Sequence, residues 1–574
     1  MSIYKTWRYP ARWGIFRSDD RIMLMIIAVI VGICSGLASV MLNRSLTAML
    51  EWLHHFRHLW WAFILPAAGA ALSSKKKKKI VREGAGHGVP EVIYSVSRHG
   101  GLMRFRSSFS RLISSFLTIG SGGSAGPEAP VVMSGAAIGS NIAGFFSLND
   151  RQRITLVGCG AAGAISSIFN APIAGMIFSM EVILGEWKSL NIIPIAIASV
   201  AGTEISRVMQ GNQIAFSHQL FNIGIFDIVS SIGLAAIAAG ASILLTRLLR
   251  TMYRVSSRLS VPLWLRAAIG GCAVGIIGIF LPVILGEGYN SVRLMIEGTF
   301  YQGLAIVALV MLAKILATAF TLGWGGSGGI FAPCLVIGSL VGLTYHRVLL
   351  IMWPSISLAN EGCFALLGMA GLISGMLQAP LTGIFLIIEI TGSYGVILPL
   401  IIVSVISASL CHYVEPTSFY LKDLVEKGQL LRPGTDERVL ADLSVRELIE
   451  KDCITVKHNM LLRDFINIMK KSHRNYFPVE DSENGNFLGM IHLDDIRPYL
   501  FDPAIYDAVF LEQIMDSRVK EVGPDDDLAD VLRQMDKNNL FSMPVVANNK
   551  FLGMVSKATL LNQYRKELMI QTYQ

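Results

Sequence analysis

Residues Ile22 to Leu42 read IMLMIIAVIVGICSGLASVML, an unbroken apolar run of about the 20-residue length that crosses a bilayer as a helix. Further apolar runs follow, and several are cut by glycine and proline, as in TIGSGGSAGPEAP and TLGWGGSGGIFAP. The apolar character ends near Tyr413. From about Glu415 polar and apolar positions mix, and LRPGTDE punctuates the chain. This pattern predicts an all-α polytopic membrane protein over residues 22–414, preceded by an N-terminal segment 1–21. A linker 415–443 follows, then a soluble α/β tail of two modules, 444–500 and 511–569.

The pattern also repeats. G-S-x-G-x-x-A-P occurs at Gly123–Pro130 and again at Gly326–Pro333. GAAGAISSIFNAPIAGMIFSME (Gly160 to Glu181) matches GMAGLISGMLQAPLTGIFLIIE (Gly368 to Glu389). Two ordered matches at offsets of about 203 and 208 residues indicate two homologous halves, about 22–210 and 225–414. Short, broken helices at matching places in two halves point to a transport site near the bilayer midplane, with the halves inverted about it. In the tail, YFPVEDSENGNFLGMIHLDDI resembles FSMPVVANNKFLGMVSKATL, and a helical stretch precedes each. Asn484-Gly485 is a hairpin-turn signal. A β-α-β-β-α unit in tandem is predicted.

Composition agrees. Of 574 residues 52% are hydrophobic and 16% charged, with a mean hydropathy of +0.53; soluble domains carry about 25% charged residues. The five lysines Lys75–Lys79 end the second apolar run. They place that end, the N-terminus and the tail in the cytoplasm by the positive-inside rule, although such a run alone is also what a solvated loop looks like. The net charge of +8 needs no nucleic acid, since cytoplasmic flanks against anionic lipid account for it. The seven cysteines are scattered without a CxxC pair, so neither a zinc site nor a disulfide framework is expected. No nucleophile with a base, phosphate loop or metal cluster marks an enzyme.

A helix start offers unpaired N–H groups and a partial positive charge. Two such starts aimed at one point inside a membrane describe an anion site built largely from backbone. Glu128, in GPEAP, is a carboxylate at one of them. It can occupy the anion position itself and leave on protonation; the plainer alternative is that it only caps its helix. An intramembrane carboxylate is a functional candidate.

These stretches resemble the CLC family of chloride channels and proton/chloride exchangers. GHGVPE (Gly86–Glu91), GPEAP (Gly126–Pro130) and GIFAP (Gly329–Pro333) stand where the family has its three signatures, and the tail resembles a pair of CBS domains. The resemblance implies a CLC-like fold and a homodimer with one pore per subunit, in a membrane of bacterial inner (plasma) type. It implies that Glu128 is the gate and that His87, Gly88, Glu128, Ala129, Ile330, Phe331, Ala332 and Tyr420 line the anion site. Chloride or a similar small anion is the substrate, no cofactor is required, and no metal is expected. His87 stands where the family has serine; its ring either faces the ion or turns aside. Tyr420 is either the central hydroxyl or a packed ring. Pro127 replaces an arginine. Val182 occupies a position where exchangers carry a proton-transfer glutamate, while Glu181 beside it matches a structural one. The leading expectation is therefore a channel-like or weakly proton-coupled chloride pathway. A proton/chloride antiporter is the alternative, and a CBS-containing cation transporter a remote one. In the tail, Asp495, Ser556 and Thr559 are the candidates for an adenine-nucleotide site; the alternative is that the pair serves folding and dimer contact.

Overall fold

The computed structural model describes residues 20–55, 60–80, 88–211, 216, 221–428 and 443–573. Two compact units result, residues 1–430 and 431–574. The first is helical throughout. Its first half runs through α1 (Asp20–His54), α2 (Ile64–Ile80), α3 (Val89–Arg98), α4 (Ser107–Gly120), α5 (Glu128–Phe145), α6 (Asp150–Phe169), α7 (Pro172–Phe178) and α8 (Ser189–Gln210). The second runs through α9 (Ile225–Arg258), α10 (Leu263–Phe280), α11 (Tyr289–Ile296), α12 (Leu304–Gly323), α13 (Phe331–Met352), α14 (Glu361–Leu377), α15 (Pro380–Thr391) and α16 (Ile397–Val414), and α17 (Phe419–Glu426) closes the unit. The halves correspond helix for helix. Both carry a long first helix, a short third one and a broken stretch before the fifth.

Seven helices among the described residues are long and apolar enough to cross a membrane. The fifth to seventh helices of each half are buried over most of their lengths. Small residues let them approach closely: a Cβ on Gly135 would lie 2.2 Å from the Gly160 carbonyl, and one on Gly338 2.6 Å from that of Gly368. Small residues at crossings are how helices associate in lipid, where no hydrophobic drive is available. The lysine run is not a loop; it continues α2 to Ile80. One difference between the halves lies at their seventh helices. α7 passes into a π-helical turn at Ser179–Leu184, whereas α15 stays α-helical.

In the second unit β1 (Val456–Lys457) pairs in parallel with β2 (Tyr476–Glu480), and β2 pairs antiparallel with β3 (Phe487–His492). α18 (Leu462–Met469) packs beneath, with the Phe465 and Phe477 rings edge-on at 4.8 Å. The second module has α20 (Leu528–Lys537), the antiparallel pair β4 (Ser542–Ala547) and β5 (Lys550–Ser556), and α21 (Lys557–Tyr573); the intervening α19 (Leu493–Ile496) ends the first. Its first strand is reduced to a single parallel bridge, Val522 to Val545. Both hairpins carry a register shift at the same place, after Val479 and after Val545. The Asn484-Gly485 signal lies in a loop longer than a two-residue hairpin, with only Gly485 left-handed. Asn548 and Asn549, both left-handed, make the tight turn of the second module. The N-terminal segment before Asp20 lies outside the described residues, as does most of the linker.

Candidate functional site

The two broken stretches lie side by side. Gly126 and Gly329 form an antiparallel bridge, each N–H donating to the other's carbonyl at 2.9 and 2.6 Å. Each half also clamps the other. The Ser124 N–H donates to Thr321 Oγ1 at 3.0 Å, and the Ser327 N–H to Thr118 Oγ1 at 3.2 Å. Because the bridge is antiparallel, α5 and α13 leave it in opposite senses with their starts together. Two sets of unpaired N–H groups and two positive helix ends thus converge inside the unit.

Glu128 is the first residue of α5 and is fully buried. Its Oε1 accepts a hydrogen bond from the Tyr289 hydroxyl at 2.5 Å. Its Oε2 makes no hydrogen bond, and the Ala332 amide at the start of α13 lies within electrostatic reach of the carboxylate. Space here is tight: a Cβ on Gly126 would fall 1.9 Å from Oε2, and one on Gly329 2.9 Å from the Ala129 nitrogen. Ala129, Ile330, Phe331 and Ala332 are all buried around it. The Phe331 ring meets those of Phe178 at 5.4 Å and Phe169 at 6.4 Å. Tyr420, on α17, is 1% exposed, and its hydroxyl finds no hydrogen-bond partner. A buried hydroxyl without a partner is costly, so a ring packed only for its apolar face is the poorer account.

Other expected residues fall differently. His87 lies outside the described residues. The Gly88 N–H is not open to an anion: it donates to Glu91 Oε2 at 2.8 Å, and Arg111 holds Glu91 Oε1 at 2.5 Å. Val182 sits on the π turn, partly buried against the main core. Glu181 accepts from the Leu381 and Thr382 amides at 3.2 and 2.7 Å and from the Thr382 hydroxyl at 2.7 Å. It therefore caps α15 and offers no ready substitute for a carboxylate at 182.

Three residues around Glu128 escaped the sequence reading: Glu287, Tyr289 and Lys314. The signal was there. G-E-G-Y (Gly286–Tyr289) echoes G-H-G-V (Gly86–Val89) at about 200 residues' distance, and Lys314 interrupts the apolar run VMLAKILATAF; a lone intramembrane cation is itself a functional candidate.

In the tail, Asp495 is exposed after β3, and its Oδ2 accepts from the His492 N–H at 3.1 Å. Ser556 and Thr559 come together, but onto a protein carboxylate. Both hydroxyls donate to Glu450 Oε1, Ser556 at 2.5 Å, and Arg474 pairs with Glu450 Oε2 at 2.6 Å. These two nucleotide-site candidates are thus already engaged by a protein carboxylate. No group of three or more metal-ligating side chains occurs among the described residues.

The family model described as "Voltage gated chloride channel" matches residues 69–412, and the CBS domain model matches 445–502 and 511–566. A ClcB-like protein of Ralstonia nicotianae is 29% identical over 70% of this chain and 96% of its own. A protein of Vibrio cholerae named H(+)/Cl(-) exchange transporter ClcA is 28% identical over 68% of this chain and 86% of its own. Among solved structures, a slow cyanobacterial Cl-/H+ antiporter superposes with a TM-score of 0.66 at 24% identity, covering 72% of this chain and 99% of its own. A eukaryotic CLC transporter superposes at 0.62 and 17% identity, over 94% of this chain and 98% of its own. With converging helix starts, a buried glutamate at one of them and a family match across most of the helical unit, the chain belongs to the voltage-gated chloride channel (CLC) family of integral, multi-pass membrane transport proteins and carries a C-terminal pair of CBS domains.

Proposed function

We propose that this protein exchanges chloride for protons across the membrane, with Glu128 as the gate that both ions use. The observation that carries this reading is the buried Glu128 carboxylate lying between two helix starts, with one oxygen held by Tyr289 and the other unbonded. Ionised, it fills the place an anion would take. Protonated, it loses its attraction to the helix ends and yields that place, so proton uptake and anion entry are coupled through one group. Relatives named H(+)/Cl(-) exchange transporters, matched over 86% of their length, support exchange over the passive pathway first expected. Passive conduction is the second reading, favoured by Val182, which cannot titrate. Under exchange, protons must reach Glu128 by a route that avoids both Val182 and the capping Glu181.

The assembly is a homodimer in a bacterial-type inner membrane, with the N-terminus and tail cytoplasmic. Transport needs no cofactor. Asp495 is exposed for an adenine nucleotide, while Ser556 and Thr559 join such a site only when Glu450 moves away. The test of exchange is the reversal potential of reconstituted protein under a proton gradient at fixed chloride. Exchange moves it with the gradient; a value that stays at the chloride equilibrium potential sinks this reading. For the tail, ATP, ADP or AMP at millimolar concentration should raise its melting temperature, and no shift with any of them leaves the CBS pair a structural element.

A further inference from the structure

Lys314 lies at the middle of α12 and is fully buried. Its ammonium donates to the Ile284 and Gly286 carbonyls, both at 2.9 Å. It therefore ties down the loop between α10 and α11. The Gly286 N–H in turn donates to the Gly122 carbonyl at 3.2 Å, joining this loop to the broken stretch of the first half. Gly288 turns the loop with φ of +88°, and a Cβ there would lie 2.9 Å from Val336 and 3.4 Å from the Lys314 Nζ. α11 then starts at Tyr289, whose ring stands edge-on to Phe216 at 6.1 Å and whose hydroxyl reaches Glu128. Glu287, between turn and ammonium, keeps a buried Oε1 without a hydrogen-bond partner and lies close enough to sense the charges of both Lys314 and Glu128.

The first half contains the matching device. Arg111 is the α4 counterpart of Lys314, with the same offset of about 203 residues as the broken stretches. It is buried, and through Glu91 it holds the Gly88 turn, where φ is +92°. The second-half loop lies at the start of α2. Leu285 and Gly122 lie by Pro66, near the start of that helix.

We propose that the loop Ile284–Tyr289 is a latch on the gate: the Tyr289 hydroxyl holds Glu128 in its occluding position, Lys314 fixes the loop, and Glu287 is the counter-charge that keeps the ammonium buried. This rests on the reading of Glu128 as the gate. The titratable groups that face Glu128 are Tyr289 and Glu287 from the loop, Cys334 from α13 and Tyr420 from α17, with Lys314 acting through Glu287. Among these Tyr289 alone makes a side-chain hydrogen bond to the carboxylate among the described residues. A hydroxyl donating to a carboxylate favours the ionised form, the form that blocks the anion.

Tyr289→Phe removes one oxygen and keeps the ring. In liposomes it should raise chloride efflux at neutral pH by about tenfold, and move the pH of half-maximal efflux about one unit to the alkaline side, the scale of one charged hydrogen bond. In a Glu128→Gln background, where efflux no longer follows pH, the same substitution should leave the efflux rate unchanged. Lys314→Met should follow Tyr289→Phe in direction; if it does not fold, Tyr289→Phe decides alone. A folded Tyr289→Phe protein with wild-type rate and pH profile overturns the latch, as does an equal rise in efflux rate in the Glu128→Gln background. If Glu128→Gln itself leaves the pH profile of otherwise wild-type protein untouched, the gate reading falls and the latch falls with it.

Discussion

Glu181 and Glu389 each cap the helix that carries the other. Glu181, beyond the end of α7, accepts from the Leu381 and Thr382 amides of α15; Glu389, near the end of α15, accepts from the Ile173 and Ala174 amides of α7 at 3.0 and 2.7 Å. Both contacts fall on the second and third residues of a helix that begins with proline, Pro172 or Pro380. Each carboxylate satisfies orphan amides and sits at a positive helix end. Replacing either by alanine should destabilise the membrane unit by about 1–3 kcal/mol, and by similar amounts for the two. Thermal unfolding in detergent measures this; a neutral effect of one with a large effect of the other would contradict a reciprocal clamp.

Glu128→Gln imitates the protonated gate and Glu128→Ala empties its place. Both should abolish the pH dependence of chloride efflux from liposomes while leaving efflux itself intact. Wild-type pH dependence persisting in both variants would remove Glu128 from the mechanism.

Gly126 and Gly329 look alike but should fail differently. A methyl at 126 meets the end of a movable side chain, Glu128 Oε2, at 1.9 Å; at 329 it meets backbone, the Ala129 nitrogen, at 2.9 Å. Gly126→Ala should therefore fold and displace the gate, flattening the pH profile as Glu128→Gln does. Gly329→Ala should lower the yield of monodisperse protein in size-exclusion chromatography. Equal yields and unchanged pH profiles would show that the site is looser than these contacts allow.

The tail should weaken in acid. Arg474, Arg463 and Arg446 hydrogen-bond Asp452, Asp507 and Asp525 and hold these carboxyls below their ordinary value of 3.8. A carboxyl more acidic when folded than unfolded stabilises the fold above the unfolded value and loses that contribution as pH falls through the lower folded one. The tail transition in the full-length protein should be flat from about pH 7 to 5 on this account and fall below about pH 4. Converting all three aspartates to asparagine should make the acid decline shallower, and an unchanged slope would show that these exposed pairs are solvated away.

The halves, the broken helices and the tandem tail were legible because each leaves a pattern: apolar runs of spanning length, glycines at fixed spacing, a repeated F-L-G-M strand. The place of Glu128 at a buried helix start was legible through its motif. The loop carrying Glu287 and Tyr289 was not, since its two halves share only a G-x-G turn, and the partner of Glu128 is fixed by folding 161 positions apart. Gly88 was read as a donor because its motif suggested one; that Glu91 takes its N–H follows from a side chain three residues on, which a motif does not report. Glu450 settled on Ser556 and Thr559 for the same reason, as its segment pairs with β5 across more than 100 residues.

The π turn records a difference in chain length. Between the starting proline and the closing left-handed glycine, the first half holds seven α-helical and six π-helical residues, whereas the second holds twelve in one α-helix. Pro172 and Pro380, and Gly185 and Gly392, are otherwise matched ends, both glycines having φ of 66°. A π turn closes its hydrogen bonds one residue later than an α turn and so absorbs one surplus residue without shifting either end. The surplus falls just after Glu181, which keeps its counterpart's distance from the starting proline, so Val182 lies in the stretch with no one-to-one partner in α15. The two halves thus keep matched ends over stretches of thirteen and twelve residues, with the difference taken up in this one turn. Removing Val182 leaves twelve residues between Pro172 and Gly185, the number α15 holds in one α-helix, so the deletion should keep both glutamate caps in register.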